Sequence, residues 1–175
     1  MISEPIQAAL SEQLNHEFYS AYLYLAMAGY CSNEDFNGAA RWMELQYEEE
    51  IQHATRIYRY LIDQGVPVKL GQIDAPPSEF GSLLEVFQAS LNHEQTMSLK
   101  LNDLSDHALS QKDHATYNLL QWFVNEQVEE EATVGAIIAK VRLVGNDGYG
   151  LLMIDNELGT RTPQPPSPRP TSTAG

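Results

Sequence analysis

Cysteine, positive charge and long apolar stretches are all scarce in this chain of 175 residues. One cysteine, Cys31, excludes an internal disulfide and a thiolate metal site, and reads as a small buried thiol. Lys and Arg number 10 against 24 Asp and Glu, a net charge of −14. That imbalance argues against nucleic acid as a partner and leaves cations as the natural ligands. No apolar run reaches the ~18 residues a membrane span requires, so no membrane partner is expected. No basic–apolar–small leader opens the chain, and a cytoplasmic location is expected.

What the chain does have is helical periodicity, enough for one all-α domain with a sizeable core. Four long helices and a short fifth are expected. The first covers about 4–33, with Ser3 as its cap. The second covers about 36–64 and stops before Gly65-Val66-Pro67. The third opens on the capping-box pattern Ser82-Leu83-Leu84-Glu85 and runs to about 110. The fourth covers about 114–144 and ends at Gly145-Asn146-Asp147-Gly148; the fifth covers about 149–158, before Gly159.

The first and third connections are short, which makes those helix pairs antiparallel neighbours. The middle connection, residues 65–81, carries Gly65, Pro67, Gly71, Pro76, Pro77 and Gly81. Extended, it covers more than ~50 Å, whereas the helix before it spans only ~43 Å. It can therefore cross from end to end and set the second and third helices parallel. The expected fold is a four-helix bundle with one long crossover and a short C-terminal helix. Residues 160–175, TRTPQPPSPRPTSTAG, hold five of the nine prolines and no apolar periodicity. They read as a flexible appendage without buried contacts.

The apolar seams, traced at alternating steps of three and four, are interrupted. The first reads Leu10, Leu14, Glu17, Ala21, Tyr24, Ala28; the second Ala39, Met43, Gln46, Glu50, His53, Ile57, Tyr60. The third reads Leu83, Phe87, Ser90, Glu94, Met97, Leu101, Leu104; the fourth Leu120, Phe123, Gln127, Glu130, Val134, Ile137, Val141. Each break falls near a helix midpoint, and midpoints share one height in parallel and antiparallel pairs alike. Glu17, Glu50, His53, Glu94, Gln127 and Glu130 should therefore meet at one level. Four carboxylates cannot remain bare anions in a low-dielectric interior. No Lys or Arg lies in the seams, so a bound metal cation is the expected compensation. Carboxylates with one imidazole suit iron, manganese or zinc, and the excess of oxygen donors favours iron. His16, His93 and His107 lie off the seams and His114 at a helix start, so all four read as surface side chains. Tyr24, two turns beyond Glu17, reads either as a core aromatic or as a group touching a metal ligand and able to donate an electron.

Through "NHEFYSAYLYLAM", "YEEEIQHATRIYRYL", "NHEQ" and "LLQWFVNEQVEEE", the chain resembles the ferritins, in particular the non-haem bacterial ferritins, from residue 1 to about 160. The resemblance implies a ferroxidase that oxidises Fe(II) with O2 or H2O2 and stores ferric mineral inside a homo-oligomeric shell of twenty-four subunits. It implies that Glu17, Glu50 and His53 hold a first iron, and that Glu50, Glu94 and Glu130 hold a second, with Gln127 beside it. It also implies a third iron site from Glu49, Glu126 and Glu129, sharing Glu130, while Glu48 and Glu131 read as solvated.

Related diiron proteins carry a second Glu-x-x-His where this chain has Gln127 and Glu130, which implies a weaker second site, suited to iron as a passing substrate. Ile51 stands where bacterioferritins place a haem-binding methionine, so no haem is expected. Two other readings share parts of this pattern. A diiron oxygenase would turn over an organic substrate and retain two irons rather than many. A small DNA-protecting shell would place its ligands between subunits and lack the fifth helix. That helix, with Leu151, Leu152, Met153 and Ile154, carries more apolar surface than it can hide alone, and an oligomer is expected.

Overall fold

The computed structural model describes residues 2–163. It consists of α1 (Glu4–Asn33), α2 (Asn37–Asp63), α3 (Leu83–Ser110), α4 (His114–Val144) and α5 (Gly148–Leu158), with no strand among the described residues. Local chemistry starts three of these helices. Ser82 accepts a hydrogen bond from the Glu85 amide at 3.2 Å, and its hydroxyl donates to the Glu85 carboxylate at 2.9 Å. Asp113 caps α4 through the Thr116 amide at 3.0 Å, and Asp147 caps α5 through the Gly150 amide at 2.8 Å. Ser3 does precede α1, but its hydroxyl does not cap it; it donates to the Gln111 side chain across the bundle.

The crossover is visible in three contacts along α1. Val66 packs in the cluster that contains Ile2 and Ile6. The Gly71 amide donates to the Asn15 side chain at 3.1 Å, midway along α1. Phe80 meets Tyr30 edge-on, ring centroids 5.5 Å apart, near its end. The loop thus climbs the full length of α1 and delivers the chain to α3 parallel to α2. No helix among the described residues is long and apolar enough to cross a membrane.

The core is split in two. One apolar cluster joins the second half of α1, the first halves of α2 and α3, the second half of α4, and Ile154 and Leu158 of α5. The other joins the opposite halves of the four long helices. Between them runs a layer of buried Glu17, Gln46, Glu50, His53, Ser90, Glu94, Gln127 and Glu130. Every seam residue is buried except Tyr60, which is half-buried. Cys31 is buried and free, with burial pushing its thiol up to about 12.

α2 lacks a local cap, because Phe36 precedes it. Its first amides are satisfied from α5: Asp155 accepts from Gly38 at 3.0 Å and from Ala39 at 2.8 Å. A Cβ at position 38 would lie 1.7 Å from the Asp155 carbonyl oxygen, so this close approach requires glycine. Docking hides Ile154 and Leu158 but leaves Tyr149, Leu152 and Met153 exposed, with Leu143 of α4 nearby in sequence.

Two expectations need correction. His16 and His93 are half-buried between α1 and α3, where His16 meets the Lys100 ammonium at 2.8 Å and His93 meets the Ser20 hydroxyl at 2.7 Å. His107 is also half-buried, 2.9 Å from the Gln111 amide, and His114 alone of the four is exposed. Arg161, assigned by composition to an appendage without buried contacts, lies against α2 with its side chain 19% exposed. Of that segment, residues 164–175 lie outside the described residues.

Candidate metal centre

The site grows from helical spacing. Glu50 and His53, three apart on α2, share a face, and the His53 Nδ1 lies 3.4 Å from Glu50 and 3.9 Å from Glu17 of α1. Donor atoms of Glu17, Glu50 and His53 all fall within 4.8 Å of one another. Edge contacts hold the imidazole ring, with Trp122 at 5.3 Å and Phe123 at 5.8 Å between centroids.

The other two carboxylates of the layer are held by amides and a phenol. Gln127 donates to the Glu94 carboxylate at 2.9 Å and to the Glu94 carbonyl at 3.1 Å. Tyr24 donates its hydroxyl to Glu94 and stands 2.9 Å from the Ser90 hydroxyl. The side chain of Gln46 donates to Glu130 at 2.8 Å, and that of Gln13 donates to Glu17 at 2.7 Å. Glu94 and Glu130 stand outside the close trio. Both still act on Glu50 through space and raise its pKa.

The electrostatics match four acids crowded out of water. Burial, then Glu50, pushes Glu17 well above the usual carboxylate range. Burial, then Glu94 and Glu130, does the same to Glu50. Burial raises Glu94 against the opposing bonds from Tyr24 and Gln127, and burial with Glu94 takes Glu130 up to about 7. The Tyr24 phenol is likewise raised well above its ordinary value, by burial first and Glu94 second. Such a set holds protons that a cation can replace, and its oxygen-rich donors with one imidazole fit iron.

The expected outer acids are less uniform. Glu49 is buried, Glu126 half-buried and Glu129 exposed. Burial raises Glu49, with Arg161 opposing, and burial raises Glu126. Glu48 is exposed, while Glu131 is half-buried and accepts from Ser98.

Four side chains in this region escaped sequence reasoning as site groups: Gln13, Gln46, Trp122 and Arg161. Gln46 did carry a signal, since it interrupts the α2 seam one turn before Glu50. Gln13, Trp122 and Arg161 lie off the seams and offered none.

A buried carboxylate–imidazole layer inside a bundle with one long crossover defines a four-helix-bundle metal protein. Residues 7–144 match the ferritin-like domain, and the chain belongs to the ferritin family. It is 40% identical over 162 residues to a bacterial non-heme ferritin of Staphylococcus aureus (strain MRSA252), covering 93% of this chain and 98% of that one. It is 38% identical over 159 residues to a probable bacterial non-heme ferritin-like protein of Haemophilus influenzae, covering 91% and 96%. An Archaeoglobus fulgidus ferritin engineered into a closed form matches with a TM-score of 0.92 at 43% identity, covering 94% of this chain and 100% of that one.

Proposed function

We propose that this protein stores and detoxifies iron as a ferroxidase of the ferritin family. The observation that carries the reading is the polar layer: four buried carboxyls and His53 meeting between two apolar cores. Iron is the substrate. Glu17, Glu50 and His53 receive one Fe(II); Glu50, Glu94 and Glu130, with Gln127 alongside, receive the second. Glu49, Glu126 and Glu129, sharing Glu130, would receive a third at an outer position.

In the metal-free protein the raised pKa values keep part of the carboxyl set protonated, which limits repulsion. Binding of Fe(II) displaces those protons, so uptake is favoured as pH rises. Gln13, Gln46, Gln127 and Tyr24 hold carboxylate oxygens at defined angles, so that two irons arrive in paired positions. Each Fe(II) gives up one electron, and O2 takes the pair with two protons to leave H2O2; when H2O2 is the oxidant it takes the pair with two protons and leaves two waters. Ferric product then moves to mineral inside a closed shell of copies, twenty-four in this reading, in the cytoplasm. Exposed Tyr149, Leu152 and Met153 on α5 support association between copies.

An anaerobic Fe(II) soak with anomalous scattering tests the ligands, and retained iron tests the function. Two metal peaks in the polar layer and retention of many irons per subunit are expected. Peaks elsewhere on the chain, or retention of only two irons with turnover of an organic substrate, would overturn it.

A further inference from the structure

The outer corner of the site already holds a cation of the protein's own. Arg161, just beyond α5, donates from Nη2 to the Glu49 carboxylate at 2.7 Å and from Nη1 to the Gln46 side-chain oxygen. Its guanidinium carbon lies 4.8 Å over the Trp42 ring, and Trp42 is itself 3% exposed. The amide end of Gln46 then donates to Glu130 at 2.8 Å. A continuous chain of bonds therefore runs from Arg161 through Gln46 to a carboxylate proposed to hold iron. The second oxygen of Glu49, Oε1, is buried without a hydrogen-bond partner. Glu49 is 7% exposed, and Glu126 is close enough to act on it electrostatically.

We propose that Arg161 is a specificity-determining residue of the outer iron position: its guanidinium and a third divalent cation compete for Glu49, so that the third cation binds only when Arg161 leaves. The proposal rests on the iron-handling reading above. Its logic is charge and lone pairs. Glu49 offers two oxygens; one is taken by a charge-assisted bond and the other faces no donor. A cation reaching that free oxygen meets a positive neighbour across the same carboxylate. Repulsion disfavours the doubly occupied state, whereas departure of Arg161 leaves both oxygens open. Departure also breaks the bond to Gln46, freeing its amide to turn away from Glu130. Arg161 occupancy thus favours the inner pair of irons over the outer one.

A charge-assisted hydrogen bond of this kind corresponds to roughly ten- to a hundredfold in an equilibrium constant. The test is anaerobic calorimetric titration of the assembled, metal-free protein with Zn(II), which is redox-inert, and with Fe(II). Parent, Arg161→Gln, Arg161→Lys, a chain ending at Thr160, and Arg161→Gln combined with Glu49→Gln are compared. The third equivalent should bind at least about tenfold tighter in Arg161→Gln and in the shortened chain than in the parent. Arg161→Lys should fall between them, and the double variant should lose the third equivalent. Equal or weaker third-equivalent affinity in both Arg161→Gln and the shortened chain, with the first two equivalents intact, overturns the competition and leaves the iron reading standing. Absence of the first two equivalents in every protein, parent included, overturns both.

Discussion

Replacing Glu130 by glutamine in the metal-free protein separates repulsion from hydrogen bonding within the polar layer. Glu130 is 7% exposed, and burial with Glu94 takes its carboxyl up to about 7 from an ordinary 4.5. An acid whose folded pKa exceeds its unfolded value binds more protons when folded. Its contribution is therefore most favourable below about 4.5, declines up to about 7, and stays unfavourable above. That gap corresponds to about 3 kcal/mol at pH 8. A glutamine keeps an oxygen to accept from Gln46 and removes the charge. The metal-free Glu130→Gln protein should be more stable than the parent by about 2–3 kcal/mol at pH 8. At pH 5 the two should agree within about 1 kcal/mol, since the parent acid is then largely protonated. At ~2–4 °C per kcal/mol for a chain of this size, the melting difference at pH 8 is about 5–10 °C. Glu130→Ala differs, because the Gln46 amide loses its acceptor at a cost of ~1–3 kcal/mol and a cavity opens. That variant should melt close to the parent at pH 8. The assay is thermal unfolding under a chelator at both pH values, paired with stopped-flow oxidation at two Fe(II) per subunit. If Glu130→Gln and the parent melt together at pH 8, the acids are not a repelling set awaiting cations. Oxidation by Glu130→Gln at the parent's rate would remove Glu130 from the iron ligands.

Other perturbations probe the neighbouring structure. Burial, then Lys100 and His16, lowers His93 to about 4, so its contribution is fully present above about 6.5 and is lost as pH falls toward 4. A His93→Gln variant, whose amide can still reach Ser20, should show a shallower loss of melting temperature over that interval; coincident acid limbs would argue against it. Gly38→Ala drives a Cβ into the Asp155 carbonyl and should displace the α2 cap, costing at least ~1–2 kcal/mol and weakening assembly on sizing columns. An unchanged melting curve and elution would show that α5 docks otherwise. His53→Ala removes the only imidazole from the layer and should abolish the fast oxidation phase while many ferric ions can still form slowly; a parental fast phase would exclude His53 from the first iron.

The bundle and its polar layer were legible because helical periodicity is local. Residues three and four apart share a face whatever the rest of the chain does, so the seams around Glu17, Glu50, Glu94 and Glu130 could be traced before any packing was known. Helix midpoints share a height in either chain direction, so the level at which those acids meet also followed from the sequence. The cap at Ser82 is local too, bonding the amide three residues on, whereas the equally local cap expected at Ser3 does not form because its hydroxyl meets Gln111 instead.

What tertiary structure alone decided lies at long separations. Asp155 caps α2 across 117 positions of chain, and Arg161 reaches Glu49 across 112. Neither pairing leaves a periodic trace, because each depends on how α5 folds back onto the start of α2. The proline-rich composition that marks the chain after Gly159 describes what that segment lacks, an apolar face of its own. It is silent on a single guanidinium that finds a buried carboxylate, an amide oxygen and an indole ring on α2. His16 and His93 follow the same rule: off-seam positions are exposed on an isolated helix, and the approach of α1 to α3 is what covers them. Charge and period determine which residues seek company in the interior; the path of the backbone determines which partner each one meets.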